Sequence, residues 1–364
     1  MAEIVLKKEE FVSLALRALY EKFGYLPYNM SKFEPYDLYS SNKDFLVGDG
    51  VITFNDTNGK LLALKPDVTL SIIKNTGEEN CKVYYHENVY RISGATKEFK
   101  ELMQVGLECI GEKGVYALYE AAFLAAASLH EISEKFVLNL SHLGVVSALL
   151  EEASESKAFQ KEAIDLLAQK NLHEISTLCE KYGVQAEKAN RLKMLVKTYG
   201  DMPSALEKLS FLCQGEKAQE AFKELKAVCD LLSKTHLKEH IRIDFSVAGN
   251  MKYYNGLVFK GFVDGVPESV LSGGQYDRLM EKMGRKTSAI GFAVYLDVLE
   301  GLHKENGEYD VDLLVLYNDE TSPESVLQAV QKAMLEGKKV SAQREKGKIR
   351  FAELLDLTGV GKND

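Results

Sequence analysis

The chain has 364 residues, about twice the usual length of one domain, so its length predicts two or three folding units. Hydrophobic residues make up 46% and charged residues 27%, an ordinary globular composition that argues against a disordered or collagen-like chain. The formal net charge of -9 disfavours a broad phosphate-binding surface for nucleic acid.

The cysteines and the apolar runs indicate the compartment. The five cysteines are scattered and include no pair spaced as C-x-x-C, which favours a reduced, cytoplasmic protein without a disulfide framework or a zinc ribbon. The first ten residues mix acidic and basic side chains and do not form a signal peptide. The longest apolar run, residues 121–129, is far shorter than the roughly 20 residues of a membrane helix. We expect a soluble protein without a membrane segment.

The first predicted elements are a helix and a hairpin. Apolar residues recur at three- and four-residue steps over residues 9–23, which predicts an amphipathic helix that ends at Gly24. Residues 45–64 predict a β-hairpin with its tight turn at Asn58-Gly59. A helix is expected after Pro66, because proline suits the first helical turn.

Two strands and an alanine-rich helix follow. Residues 82–91 and 102–110 predict strands, and the second alternates strictly. Its period of two places Gln104 and Glu108 on the same face, roughly 13–14 Å apart along the strand. After Gly111 and Gly114, residues 115–131 predict a long helix.

The remaining chain changes from helical to strand patterns and back to a mixture of both. Residues 151–239 show helical periodicity and no convincing strand, which predicts an all-helical insertion. Strand patterns return at residues 241–245, 253–263 and 269–271, and Gly273-Gly274 predicts a chain break before a helix over about 275–283. Residues 289–302 begin as a strand and end as a helix, and the tail predicts one strand and one helix.

The predicted organisation therefore has four parts. They are a first core part over residues 1–150, the insertion over 151–239, a second core part over 240–305 and a short α/β tail over 306–364. No internal repeat is visible.

Short catalytic motifs give little support for an enzyme. The segment from His236 to His240 matches the H-x-x-E-H pattern of inverted zinc peptidases, but the strand that begins at Ile241 would end the zinc helix at its second ligand. A polar helix end that happens to contain two histidines explains the match better. Neither a P-loop nor a G-x-G-x-x-G loop nor a G-x-S-x-G elbow occurs.

A dispersed set of polar residues lies on or beside the predicted strands. Taken singly, each has an ordinary structural explanation: Asp67 and Thr69 as first-turn helix residues, Arg91 as a surface cation, and Tyr253-Tyr254 as half-buried packing. Together they would form a pocket with carboxylates for an ammonium group, an arginine for a carboxylate, and phenols for a polar side chain. Such a pocket suits a zwitterionic amino acid.

Six segments in order resemble the class II core of histidyl-tRNA synthetases, over residues 9–130 and 241–302. They read LKPDVT at 64–69, YYHENVYR at 84–91, MQVGLECIG at 103–111, YYN at 253–255, GGQYD at 273–277 and AIGFA at 289–293. The resemblance implies an α+β fold, with a class II aminoacyl-tRNA synthetase-like antiparallel sheet flanked by helices and an all-helical insertion.

The resemblance also implies a histidine-binding pocket. By position, Asp67, Thr69 and Gln104 correspond to the ammonium side, and Arg91 corresponds to the motif 2 arginine. Glu108, Tyr253 and Tyr254 correspond to the imidazole side. No catalytic residue, metal ligand or cofactor is implied.

The chain departs from active synthetases where ATP phosphates bind. Val298 stands at the motif 3 arginine, residues 248–250 lack the arginine that precedes the tyrosine pair, and Gln275 replaces another arginine. The motif 2 loop offers only Lys97 and Lys100. Because preorganised cations stabilise the phosphate charges of adenylation, these losses predict little or no aminoacylation.

A retained amino-acid pocket beside lost ATP cations resembles the regulatory subunits of ATP phosphoribosyltransferase, a family of histidyl-tRNA synthetase paralogues. The resemblance implies a short-form catalytic subunit as partner, L-histidine as effector in histidine biosynthesis, no tRNA aminoacylation, and homodimers within a hetero-oligomer, typically a hetero-octamer. Histidine would bind in the inherited pocket or at the contact with the catalytic subunit.

Two alternatives remain open. One is a catalytically active histidyl-tRNA synthetase-like enzyme, in which Arg285 or Lys286 would replace the motif 3 charge. The other is a histidine-binding module with an unrelated partner.

Overall fold

The computed structural model describes residues 8–46, 50–77, 80–92, 98–249, 253–302 and 309–359. The chain forms two compact units, Met1–Leu302 and His303–Asp364. Two residues singled out above, Lys97 and Asn250, lie outside the described residues. Within the described ranges, no helix is long and apolar enough to cross a membrane.

The described part of the first unit contains twelve strands. They are β1 (Leu26–Pro27), β2 (Phe33–Pro35), β3 (Thr53–Asn55), β4 (Leu61–Leu64), β5 (Cys81–Ile92), β6 (Phe99–Ile110), β7 (Phe136–His142), β8 (Tyr199–Asp201), β9 (Ile241–Asp244), β10 (Leu257–Val263), β11 (Leu271–Gln275) and β12 (Ala289–Tyr295). Nine of them form one sheet in the order β1-β5-β6-β12-β11-β10-β7-β9-β8. Its interior from β5 to β7 is antiparallel throughout, whereas β1 and β9 join in parallel. This confirms the predicted antiparallel sheet.

One face of β6 packs into the hydrophobic core, and the other carries two of the predicted pocket residues. Val105, Leu107 and Cys109 are buried in the main hydrophobic cluster together with the alanines of the long helix. Gln104 and Glu108 point to the opposite face, as the alternation predicted, because successive side chains of a strand alternate. Both polar side chains are nonetheless buried, at 3% and 2% exposure, so other elements cover this face.

Eleven α-helices lie within the described ranges of the first unit. They are α1 (Lys8–Lys22), α2 (Tyr36–Ser40), α3 (Val68–Asn75), α4 (Val115–Ile132), α5 (Leu143–Ala153), α6 (Lys157–Ala168), α7 (Leu172–Lys181), α8 (Ala186–Lys197), α9 (Met202–Leu212), α10 (Glu216–Leu232) and α11 (Asp277–Lys282). Alanines make up much of α4, and its sheet-facing residues are fully buried, since small side chains let the helix approach the strands closely.

The hairpin and helix around residue 60 follow the sequence closely. Strands β3 and β4 pair antiparallel, and Gly59 has the positive φ of 78° that its turn requires. Helix α3 follows Pro66, as expected, but proline is not in its first turn. Asp67 is the N-cap and Val68 the first helical residue, because the Asp67 carboxylate accepts the backbone N–H of Leu70 at 2.9 Å.

Two expectations for the later core segments were wrong. Gly273-Gly274 lies inside β11 and does not break the chain, and β10 begins only at Leu257. Glycine is required within β11 because a Cβ on Gly273 would collide with Phe292 and with the carbonyl of Gly291.

The insertion is mostly helical but not entirely so. Helices α6 to α10 fill it, yet the three-residue strand β8 pairs antiparallel with β9 and extends the main sheet. The zinc-peptidase pattern has no helix to support it, since residues Lys238–His240 form a single 3-10 turn. The His240 ring stacks on Phe136 at a centroid distance of 4.4 Å. The division at residues 150 and 239 stays a prediction.

The second unit combines a small parallel sheet with one helix. Strands β13 (Val311–Leu316), β14 (Val340–Gln343) and β15 (Phe351–Asp356) pair in parallel in the order β14-β13-β15, and α12 covers Pro323–Leu335. Ser322 caps α12 by accepting the N–H of Glu324 at 3.2 Å. The sequence missed β14 and β15, which are short and not strongly apolar.

Candidate functional site

All seven residues predicted for the pocket line one cavity of about 380 Å³ on the β6 face that lies opposite α4. They come from four stretches of the chain that are distant in sequence: Asp67 and Thr69, Arg91, Gln104 and Glu108, and Tyr253 with Tyr254. A cavity of this size is within the range that small-molecule sites occupy.

Glu108 is the most constrained group in the cavity. Thr69 Oγ1 donates a hydrogen bond to its Oε1 at 2.6 Å, and Tyr276 Oη donates one to its Oε2 at 2.6 Å. Burial raises the pKa of Glu108 to about 8, although the Thr69 and Tyr276 bonds act in the opposite direction. Burial therefore favours the neutral form of this carboxyl.

Glycine makes room for this carboxyl. Gly291 of β12 lies directly opposite Glu108 in the β6–β12 register. A Cβ at residue 291 would collide with Glu108 Oε2 and with the carbonyl oxygen of Leu107. Gly291 therefore lets the Glu108 side chain lie flat against the sheet.

Asp67 caps helix α3 and also lines the cavity. Its carboxylate caps α3, and the same residue lines the cavity at 6% exposure. Burial raises its pKa, opposed by the bond from Leu70 and by the nearby Arg91 guanidinium. The helix cap is an observed role of this side chain, and its ligand-binding role stays a prediction.

Arg91 and Gln104 supply hydrogen-bond donors. Arg91 Nε donates to the backbone oxygen of Pro66 at 2.9 Å, which holds the guanidinium beside the start of α3. Gln104 Nε2 is buried and has no hydrogen-bond partner within the described part of the chain. An unpaired buried amide costs free energy unless a ligand or water accepts its hydrogens.

Tyrosines line the rest of the cavity. The Tyr253 and Tyr254 rings meet edge to face with centroids 4.7 Å apart, and Tyr253 also lies 6.0 Å from Tyr276. Burial raises the pKa of all three phenols, so they stay protonated and can donate hydrogen bonds.

The sequence missed five further polar cavity residues: Tyr85, Lys260, Ser272, Tyr276 and Tyr295. Tyr276 belongs to the GGQYD segment and Lys260 follows the tyrosine pair by six residues, so both stood next to recognised motifs. Which of these side chains reach the cavity depends on the register between strands that are distant in sequence.

The positions of the lost synthetase arginines are filled without replacement charges. Val298 packs against the main hydrophobic cluster. Gln275 Nε2 donates to Asp277 at 2.7 Å. Arg285 donates to the carbonyl oxygen of Ile73 at 3.3 Å and to Thr76 Oγ1 at 3.1 Å, at the end of α3. Neither Arg285 nor Lys286 lines the cavity.

Relatives of named function align over most of the chain. An ATP phosphoribosyltransferase regulatory subunit of Clostridium kluyveri is 29% identical over 336 residues, which are 88% of this chain and 85% of that protein. The structure resembles that of an ATP phosphoribosyltransferase regulatory subunit/histidyl-tRNA synthetase from Bacillus halodurans, with a TM-score of 0.74, 23% identity, and 99% and 97% of the two chains covered. It also resembles a chain of the ATP phosphoribosyl transferase (HisG:HisZ) complex from Thermotoga maritima, with a TM-score of 0.64, 20% identity, and coverage of 79% and 97%.

These findings confirm the predicted resemblance and the predicted fold class. The family model described as Histidyl-tRNA synthetase matches residues 5–299, which include every cavity residue named above. The chain belongs to the histidyl-tRNA synthetase family.

Proposed function

We propose that this chain is the noncatalytic regulatory subunit of ATP phosphoribosyltransferase in the first step of histidine biosynthesis. It binds the short-form catalytic subunit, activates it, and makes it sensitive to inhibition by L-histidine. The names of its relatives and its likeness to a chain of the Thermotoga maritima complex support a catalytic partner.

One observation supports this function over aminoacylation. The cavity holds an acid, an amide, an arginine and phenols together, while the motif 3 position is occupied by the packed, uncharged Val298. An amino acid can be bound there, but the cation that would stabilise a transferring phosphate is missing at that position.

Histidine fits the cavity chemistry in one orientation. Its ammonium group would lie near Asp67, Thr69 and Gln104, and its carboxylate near Arg91. The imidazole would lie between Glu108 and the Tyr253–Tyr254 pair. A neutral Glu108 can donate its proton to an imidazole nitrogen, whereas an ionised one would accept a proton from an imidazolium.

Feedback inhibition needs a difference in affinity. Histidine must bind the inhibited assembly better than the active one, or it shifts no equilibrium. Couplings of this kind are typically about 1–3 kcal/mol, or roughly 5–150-fold. We place the inhibitory histidine in the cavity described here; the regulatory homodimer, the hetero-octamer and the cytoplasmic location stay predictions.

Reconstitution tests the proposal. Mixing the chain with a short-form catalytic subunit should stimulate phosphoribosyl-ATP formation, and histidine should inhibit the mixture. Glu108→Ala and Tyr254→Phe should weaken histidine binding in calorimetry and raise the histidine concentration needed for inhibition, while stimulation remains. Glu187→Ala and Tyr116→Phe, at exposed positions outside the cavity, are the matched controls. Unchanged histidine affinity in both cavity variants would refute the site; absence of stimulation would favour an unrelated partner.

A second candidate is an active histidyl-tRNA synthetase-like enzyme. Arg91 favours it, because the motif 2 arginine is retained and lines the cavity. Histidine-dependent exchange of pyrophosphate into ATP separates the two functions. We expect none above background, and robust exchange would establish an enzyme.

A further inference from the structure

Lys170 adopts a backbone conformation that usually belongs to glycine. It follows the C-cap of α6 with a φ of 53°, and no other non-glycine residue in the described part of the chain has a positive φ. Gly183 occupies the equivalent place after α7, with a φ of 64°. Glycine is common there because a Cβ is strained in the left-handed conformation. A lysine at this place indicates that its side chain makes a contact that glycine could not make.

The Lys170 side chain reaches a buried carboxylate at the end of β9. Its Nζ lies 2.8 Å from Asp244 Oδ2 and 4.6 Å from the ring centroid of Tyr199. Tyr199 is the register partner of Asp244 in the β8–β9 pair. Asp244 is only 4% exposed, so the ammonium supplies the counter-charge that a buried carboxylate needs. Glycine at residue 170 would relieve the backbone strain but remove this ion pair.

The other oxygen of the same carboxylate holds the segment that follows β9, a 3-10 turn over Phe245–Gly249. Asp244 Oδ1 accepts the backbone N–H of Ser246 at 2.9 Å and the Ser246 hydroxyl at 2.7 Å. The next residue, Val247, is buried and lines the cavity, and α6 packs against the turn. One carboxylate thus joins the end of α6 to the wall of the cavity.

We propose that Lys170 is a positioning residue for the cavity: by fixing Asp244, it keeps the Phe245–Gly249 turn, and with it Val247, in the conformation that binds the ligand. A site with an ordered wall binds more tightly, because less conformational entropy is lost on binding. The end of α6, in the predicted insertion, thereby contributes to the affinity of the cavity. The effect on histidine binding rests on the proposed function, whereas the effect on the turn does not.

Hydrogen exchange of the full chain without ligand tests the effect on the turn. Lys170→Met keeps the length of the side chain and removes its charge, so residues 245–249 should exchange about tenfold faster than in the unsubstituted chain. Lys181→Met is the matched control, because Lys181 of α7 also pairs with a carboxylate, Glu162 at 3.4 Å, and lies over a ring, Tyr182 at 5.1 Å. It should leave exchange of the turn unchanged. Equal exchange in Lys170→Met and in the unsubstituted chain would overturn the proposal.

Calorimetric titration of histidine tests the effect on the cavity. Lys170→Met should bind histidine about 5–30-fold more weakly, the size of effect usual for substitutions that act on a site through neighbouring residues. Lys170→Gly should bind it as weakly, although it relieves the backbone strain. Lys170→Arg keeps the charge and should bind histidine within about twofold of the unsubstituted chain.

A double variant separates positioning from general destabilisation. Asparagine at residue 244 needs no counter-charge, and its Oδ1 can still accept the Ser246 N–H. Lys170→Met combined with Asp244→Asn should therefore recover most of the histidine affinity and most of the protection from exchange. The proposal is wrong if the double variant stays as impaired as Lys170→Met, or if Lys170→Met binds histidine normally while its turn exchanges faster. If the unsubstituted chain binds no histidine, the proposed function fails, and the exchange data still decide whether Lys170 positions the turn.

Discussion

Replacing Glu108 by glutamine should change how the stability of the first unit depends on pH. The carboxyl is buried at 2% exposure, and burial raises its pKa from 4.5 to about 8. The folded protein therefore holds a proton that the unfolded chain releases above about pH 4.5. By linkage, stability falls with rising pH wherever the folded state binds more protons. The contribution of Glu108 is fully present below pH 4.5 and is lost as the pH rises to 8.

The size of the effect follows from the shift. A difference of 8 minus 4.5, or 3.5 pKa units, corresponds to about 5 kcal/mol at 1.36 kcal/mol per unit. Between pH 5 and pH 8 the loss amounts to about 3–4 kcal/mol. Glutamine has the same shape, stays neutral, and keeps an acceptor for Thr69, so the variant should lose none of this.

The assay is urea unfolding of Glu108→Gln and of the unsubstituted chain at pH 5, 6, 7 and 8. All other titrating groups are common to both proteins, so their contributions cancel in the difference of the two free energies of unfolding. That difference should shift in favour of the variant by about 3–4 kcal/mol from pH 5 to pH 8. A difference that stays constant over this range would show that Glu108 ionises normally, and the description of the buried carboxyl would be wrong.

Three other substitutions test separate features of the same region. Asp67→Asn should keep the helix cap and change the free energy of unfolding by less than about 0.5 kcal/mol. Calorimetry of the same variant should show about 10–100-fold weaker histidine binding. A loss of stability as large as the loss of binding free energy would contradict separate roles in capping and in binding. Lys65→Met should destabilise by about 3 kcal/mol in urea unfolding, because it leaves the largely buried Glu87 without the ammonium 2.8 Å away, and adding Glu87→Gln should restore most of it. Gly291→Ala should lower stability by about 1–3 kcal/mol and abolish histidine binding, since its methyl group displaces Glu108; retained binding would show that the carboxyl position is not critical.

Local patterns in the sequence predicted much of the fold. The alternation of β6 placed Gln104 and Glu108 on one face, and the structure agrees because a period of two is a property of a single strand. Asn58-Gly59 also predicted its turn correctly, because the conformation of a tight turn depends on the turn residues themselves. In contrast, the glycine pair in β11 looked like a break, because the need for glycine comes from the neighbouring strand β12 and not from the chain itself.

The composition of the cavity was only partly predictable. The seven residues named from the sequence all reach it, but they were found through a resemblance of segments and not through local pattern. Tyr276 donates a hydrogen bond to Glu108 although the two residues are 168 positions apart in the sequence. Lys260 lies beside the cavity because of the order of the five strands from β5 to β10 in the sheet. Long-range register of this kind leaves no mark in a single sequence.

The contacts of Glu108 also show which elements would respond to a ligand. Thr69, which holds one carboxyl oxygen, lies in the first turn of α3, and Tyr276, which holds the other, immediately precedes α11. Arg285, just beyond α11, bonds to the opposite end of α3. The two helices therefore share the buried carboxyl at one end and the arginine at the other. A ligand that displaces Thr69 or Tyr276 from Glu108 would therefore act at the start of α3 or of α11, and Arg285 provides a second contact with α3 from the far end of α11.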